Sequence, residues 1–264
     1  MNNTFNIKRF GLLLKKTLLE KPMQMIGFPG LLLTVVLILY VAIKALSGFD
    51  MAQRTSFLVG LVGGSFFLAS FVFGYFLSNA RGSSFLTLPA SHFEKWLCGI
   101  LIAGVFYPIT FLIFYYSIDT GFVALYHKSL DPASPFYKQA YESVYTFDLN
   151  GIIARNVFIM FFIYTGTMLL GSLYFNKASV IKTAIALCVI FLLIYGSNWL
   201  FATMLFGHID DAAPFAHVAI PVGNEVGFIE LPASFAKISK YIFLYAGPAS
   251  FWLLSFTRLR EKEF

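Results

Sequence analysis

A short polar stretch, residues 88–96 (LPASHFEKW), separates two long apolar runs. Pro89 disfavours a helix that continues through it, because proline has no backbone N–H to donate. Ser91 and Glu94 have the spacing of a capping box, in which each side chain accepts a hydrogen bond from the other residue's backbone N–H. The pattern predicts a helix that begins directly after Ser91. Arg81 and Lys95 make the stretch basic, which is typical of short loops on the cytosolic side of a membrane.

Patterns for catalysis or metal binding are sparse. The chain has no G-x-x-x-x-G-K-[ST] phosphate-binding loop and no H-E-x-x-H motif. His208, Asp210 and Asp211 have the residue types of a weak metal site, but no fourth ligand is specified, so a solvated acidic loop is the preferred interpretation. We therefore expect no catalytic residue, no metal, no cofactor and no nucleic-acid partner.

The composition is that of a membrane protein. Hydrophobic residues make up 58% of the 264 residues and charged residues only 12%, against about 25% charged in a typical soluble domain. The apolar runs are continuous and near 20 residues long, whereas strands of a membrane barrel would alternate. The sequence thus predicts an all-α polytopic membrane protein that lies in the lipid bilayer of a cell membrane.

Six spans are predicted, between a cytosolic amphipathic helix at 1–22 and a cytosolic tail at 259–264. In the first segment, Ile7, Phe10, Leu14 and Leu18 recur at helical spacing with lysines on the other faces, which suits a helix in the membrane interface or a simple positive flank. The transmembrane domain is 23–258, with spans at about 23–46, 56–79, 97–118, 152–175, 180–206 and 239–257.

The charges predict that both termini are cytoplasmic. With the N-terminus inside, the segments on the inner side carry 12 of the 19 basic residues, as the positive-inside rule requires. The two long connections, 119–151 and 207–238, then lie outside. The second is mildly apolar and broken by prolines, so it is either a re-entrant element or an ordinary loop.

In the second predicted span, small residues recur at four-residue spacing, first at 60 and 64 and later at 70, 74 and 78. Such a stripe lets another helix approach closely, either within the chain or from a second membrane subunit. The predicted helix-packing residues are Gly60, Gly64, Ser70, Gly74 and Ser78.

Together these features resemble the membrane (permease) subunit of a type-2 ABC exporter, in particular its bacterial permease-like members. The architecture resembles that family over nearly the whole chain, and residues 85–95 (FLTLPASHFEK) resemble the L-P-x-S-x-x-E stretch seen in its loop between spans 2 and 3. The resemblance implies a separate ATPase subunit, so ATP hydrolysis is not expected in this chain, and it implies pairing with an identical or paralogous membrane subunit. The residues it assigns to the ATPase contact are Leu88, Pro89, Ala90, Ser91, Glu94 and Lys95.

Two other functions remain open from the residues alone. A non-transporting immunity or scaffold protein would keep the six spans and need no ATPase. An intramembrane enzyme would need clustered acids or histidines at span ends, and only the His208 region comes close.

Overall fold

The computed structural model of the chain describes residues 5–20, 22–77, 79–175, 177–214, 217–222, 225–230 and 232–262. The protein is mainly α-helical. Its elements, in chain order, are α1 (Ile7–Glu20), α2 (Met23–Ser47), α3 (Phe49–Val72), α4 (Asn79–Leu86), α5 (His92–Ser129), α6 (Tyr137–Ser143), α7 (Ile152–Tyr174), α8 (Ser179–Phe206), β1 (Asp211–Ala213), β2 (His217–Val222), β3 (Glu225–Glu230) and α9 (233–260).

Five of these helices, α2, α3, α5, α7 and α8, are long and apolar enough to cross a membrane. They correspond to the first five predicted spans and indicate a membrane protein. The segment predicted as the sixth span, 239–257, lies within α9, which is helical throughout. Lysines, serines and a Gly-Pro pair lower its apolar content, and it is not among the five helices.

The helices at two predicted spans have other bounds than the predicted ones. The second runs from Phe49 to Val72 instead of 56–79, and its first turns pack in the core, where Gln53 and Phe57 are buried. The third continues to Ser129, well past the predicted end at residue 118, because the helix keeps its buried face through Asp119 and Val123.

Prolines inside three helices each follow a wide, π-helical turn. In α2, α5 and α9 these turns are Met23–Gly27, Ile102–Phe106 and Ile242–Ala246, and each ends two residues before Pro29, Pro108 or Pro248. A proline ring clashes with the carbonyl four residues earlier, and a wider turn relieves that clash without ending the helix.

The last helix, α9, packs along α7 through Trp252. The Trp252 indole stacks on Phe162 with ring centroids 5.3 Å apart and donates a hydrogen bond to the carbonyl of Phe162 (2.9 Å). Gly166 lies directly beneath the indole, and a Cβ there would overlap the ring. On the α5 side, the Trp96 indole N–H donates to the Ser255 hydroxyl at 2.8 Å.

Two of the predicted helix-packing residues, Gly60 and Gly64, contact this chain's own α5. A Cβ on Gly60 or Gly64 would overlap Phe111 or Tyr107 respectively, and the Tyr107 hydroxyl donates to the Gly60 carbonyl at 2.8 Å. Ser70 donates to a carbonyl of its own helix, at Phe67. Beyond the helix end, Gly74 is buried in a short 3₁₀ turn, and Ser78 lies outside the described residues.

The connection 207–238, considered above as a re-entrant element or an ordinary loop, contains a three-stranded antiparallel sheet in the order β1-β2-β3. The sheet adjoins α8, where the Asn198 amide donates to the Ala212 carbonyl at 2.9 Å. This small sheet is the exception to the predicted all-α fold.

Different structural elements lie at the two ends of the helix bundle. At one, the basal end, lie α1, the turn at 87–91 and the last turn of α9. At the other, the distal end, lie Asp119 and the segment 144–149, called here the strap. Both ends of the described chain are basal, since Phe5 contacts Phe93 and the Lys262 ammonium lies 5.4 Å from the Phe76 ring centre.

Because α3 and α5 approach closely at Gly64, replacement of this glycine by alanine should lower the stability of the protein. Gly64→Ala should destabilise the protein by about 1–3 kcal/mol, because the added methyl overpacks against Tyr107. Thermal unfolding in detergent measures the effect. The matched control is Gly121→Ala in α5, where a Cβ meets nothing within 4 Å and helix propensity alone favours alanine. Equal stability of the two variants would contradict the packing described.

Candidate partner-binding site

The predicted capping box is formed at the start of α5. The Ser91 hydroxyl accepts a hydrogen bond from the Glu94 backbone N–H at 3.2 Å, and the Glu94 carboxylate accepts one from the Ser91 N–H at 2.8 Å. Ala90 and Ser91 are buried, Leu88 is half-buried and Pro89 is exposed. The box thus fixes a sharp turn between α4 and α5 at the basal end.

The same carboxylate also holds the N-terminal helix. Arg9 donates to both Glu94 oxygens, from Nε at 2.8 Å and from a terminal nitrogen at 2.7 Å, and the Asn6 backbone N–H donates at 2.8 Å. The Glu94 side chain is fully buried and that of Arg9 is 27% exposed. This bidentate geometry is the strongest form of ion pair, and the side-chain hydrogen bond to Glu94 raises the pKa of Arg9. One carboxylate therefore joins α1 to the turn.

Lys95 is also turned inward. It is 1% exposed, and its ammonium donates to the Leu86 carbonyl at the end of α4 at 2.8 Å. The ammonium also lies 5.6 Å from the centre of the Phe85 ring. The resemblance assigns Glu94 and Lys95 to the contact with a partner. Both side chains are instead buried and hydrogen-bonded within the chain. A partner at this turn would meet their neighbours instead.

The surface of the turn is formed by Ser84, Thr87, Pro89 and Phe93, all of them exposed. Phe93 belongs to a cluster of rings that also includes Phe5, Trp96 and Phe256, with centroids 5.7–6.2 Å from that of Phe93. The cluster brings α1, α5 and α9 together at one place. We call the exposed residues Ser84, Thr87, Pro89 and Phe93 together the basal surface.

A second polar centre, at the distal end, was missed from the sequence. The Asp119 carboxylate, 1% exposed, accepts hydrogen bonds from the Tyr40 hydroxyl (2.8 Å), the Gln53 amide (2.9 Å) and the Phe147 backbone N–H (2.7 Å). Gln53 also donates to the Tyr145 carbonyl at 2.8 Å. The centre attaches the strap, which precedes α7 in the chain, to α2, α3 and α5.

A signal for Asp119 was present in the sequence. Tyr107, Phe111, Tyr115 and Val123 share its four-residue spacing, and all are buried. A charged residue after an apolar run is typical of the end of a span, which predicts a connection that begins at residue 119, whereas α5 continues to Ser129. Following the four-residue spacing instead would have placed Asp119 in the core.

The described residues contain no group of three or more His, Cys, Asp and Glu that could hold a metal ion. His208, Asp210 and Asp211 are therefore not assembled into such a group. Asp210 instead continues the sheet, with its N–H donating to the Ala219 carbonyl.

Comparisons with known proteins identify no relative: no protein-family model matches the chain, and neither a curated protein nor a solved structure does. The geometry of the site therefore carries the functional argument by itself.

Replacing Glu94 should release α1 while the spans stay folded. Glu94→Gln removes the charge that Arg9 pairs with, and a hydrogen bond to a charged group contributes about 1.5–3 kcal/mol. We expect amide hydrogen exchange over residues 7–20 to accelerate by at least about tenfold, with little change in α7.

The matched control for Glu94→Gln is Asp50→Asn. Asp50 pairs with Arg54 at 2.7 Å, but both side chains are about half exposed, and such surface pairs contribute little. An unchanged exchange rate over α1 in Glu94→Gln would contradict the role given to this carboxylate.

Replacing Asp119 should free the strap. Asp119→Ala leaves the Tyr40 hydroxyl and the Phe147 N–H without their acceptor and removes one of the two acceptors of the Gln53 amide. Each unpaired buried group costs about 1–3 kcal/mol. Limited proteolysis should then cut within 144–149. Asp131→Ala is the control, because Asp131 is exposed and its side chain caps only the nearby Ala133 N–H. Equal resistance of both variants would show that the strap does not depend on Asp119.

Proposed function

We propose that this protein is the membrane subunit of an ATP-driven exporter and that it couples to a separate ATPase subunit through the basal surface. The observation that carries the proposal is that the Glu94 carboxylate binds both α1 and the turn at 87–91 through hydrogen bonds. A surface that transmits movement must be attached rigidly to the helices it moves. Here the turn is continuous with α5, which is long enough to span the membrane.

The coupling has a physical form in this proposal. Binding of ATP changes the shape of the ATPase, which pushes on the basal surface, and α5 and α1 follow as one unit. A ligand shifts such an equilibrium only by its different affinity for the two arrangements. The wide turn at Ile102–Phe106 in α5 is a suitable place for the helix to bend, since π-helical turns are frequent at functional sites.

The same proposal sets the orientation. The basal end faces the cytoplasm, both termini are cytoplasmic, α1 lies in the membrane interface, and α9 serves as the sixth span of a cell-membrane protein. Exposed apolar side chains on α1, at Ile7, Leu12 and Leu19, lie among its lysines, which suits an interfacial helix.

A second membrane subunit, identical or paralogous, completes the proposed transporter. Exposed apolar side chains cover α8 along most of its length, and few of its residues are buried within the chain. The helix accordingly has its surface free for lipid or for that second subunit.

The test is affinity purification of the tagged protein in mild detergent, with co-purifying proteins identified and ATP hydrolysis assayed. We expect a stoichiometric ATPase subunit with the wild-type protein. Thr87→Glu should reduce its recovery about tenfold, which corresponds to roughly 1.4 kcal/mol of binding free energy, because the variant adds a charge to the basal surface without disturbing the buried contacts.

Thr146→Glu is the matched control, since Thr146 is an exposed threonine at the distal end. It should retain the ATPase. Full recovery with Thr87→Glu would contradict the assignment of the basal surface. Recovery of no ATPase even with the wild-type protein would overturn the exporter proposal in favour of a non-transporting membrane protein.

A further inference from the structure

A cleft of about 480 Å³ lies between α7 and α9, near the distal end. Its apolar wall includes Phe158, Phe162 and Leu244, and Arg155 and Asn150 are polar residues in its lining. Positions 155, 158 and 162 follow one face of α7, and they cover roughly 10 Å of helix at 1.5 Å per residue. The cleft therefore has a cation toward its distal end and an apolar stripe leading away from it.

Phe162 in the lining is held in place by its stacking on the Trp252 ring of α9. The α9 wall of the cleft comes from the π-helical turn Ile242–Ala246, which contributes Leu244 and Tyr245. Turns of this kind are frequent at functional sites. A chain-like apolar group would lie along Phe158 and Phe162.

Arg155 takes part in no ion pair within the described part of the chain, where the pairs involve Arg9, Lys16, Arg54 and Arg258. Asp148, the acid nearest to it in sequence, accepts a hydrogen bond from the Asn150 N–H (2.9 Å) instead. The Arg155 side chain is exposed. Its charge is thus available to an anion at the mouth of the cleft.

The depth of Arg155 matches a lipid headgroup. It lies three residues after the start of α7, which is long and apolar enough to span a membrane. Long basic side chains at that level reach the membrane–water interface. The apolar stripe from Phe158 onward then runs at the depth of the acyl chains.

We propose that this cleft binds an anionic membrane phospholipid, with the phosphate paired to Arg155 and an acyl chain along Phe158 and Phe162. The Asn150 amide, at the same mouth, is a second group for the headgroup. The strap carries the residues just before α7, so the hydrogen bonds of Asp119 position this mouth. The site does not depend on the exporter function, since it needs only the membrane.

Native mass spectrometry of the full-length protein, titrated in detergent with phosphatidylglycerol or phosphatidylcholine, tests the proposal. We expect phosphatidylglycerol to bind about fivefold more tightly, the effect of roughly one basic residue on an anionic lipid. Arg155→Gln should remove that preference and leave phosphatidylcholine binding unchanged. Leu244→Ser should weaken both lipids, because it places a hydroxyl in the apolar wall.

Arg54→Gln is the control, since Arg54 is an exposed arginine at the distal end that is already paired with Asp50. It should keep the preference. Loss of the preference in both arginine variants would indicate general surface charge and overturn the site. Equal binding of the two lipids by the wild-type protein, or a preference that survives Arg155→Gln, would do the same. Full competition by glycerol 3-phosphate, which has no acyl chain, would overturn the assignment of a lipid.

Discussion

The basal end of this protein depends on a single buried carboxylate. Glu94 caps α5 through the Ser91 N–H and binds α1 through Asn6 and both ends of the Arg9 fork. A carboxylate out of contact with water is stable only when its oxygens are paired. Four donors from Asn6, Arg9 and Ser91 meet that requirement. Movement of α1 away from the turn and α5 would therefore leave a buried charge unpaired.

The distal end also depends on a buried carboxylate, but this one is paired with uncharged donors. Asp119 is also buried, but the side chains that bind it are the uncharged Tyr40 and Gln53, and a backbone N–H from the strap completes the set. Buried polar networks of this kind are stabilising only when every member is satisfied.

Between the two ends, three helices contain wide turns beside Pro29, Pro108 and Pro248. In α5 and α9 the wide turns lie inside the helix, whereas in α2 the wide turn is the first turn.

Local signals in the sequence predicted local structure well. The Ser91 and Glu94 spacing predicted the cap, and continuous apolar runs predicted the helices that became α2, α7 and α8. The failures are all long-range. Asp119 lies just past the predicted end of the third span, yet its carboxylate is buried and accepts a hydrogen bond from the Gln53 amide, 66 residues away in the chain. Glu94 and Lys95 are likewise buried by tertiary contacts, with Arg9 and with the Leu86 carbonyl respectively. The cap motif predicts where the helix begins but not that these two side chains are buried.

The most direct test of this account is a double-mutant cycle between Arg9 and Glu94, read as thermal unfolding of the detergent-solubilised protein. The single variants are Arg9→Gln and Glu94→Gln, and the third protein carries both. If the carboxylate organises the basal end through Arg9, the double variant should be no less stable than Glu94→Gln alone, because the interaction is lost only once. Losses that simply add would show that the two side chains act independently and would contradict the central claim.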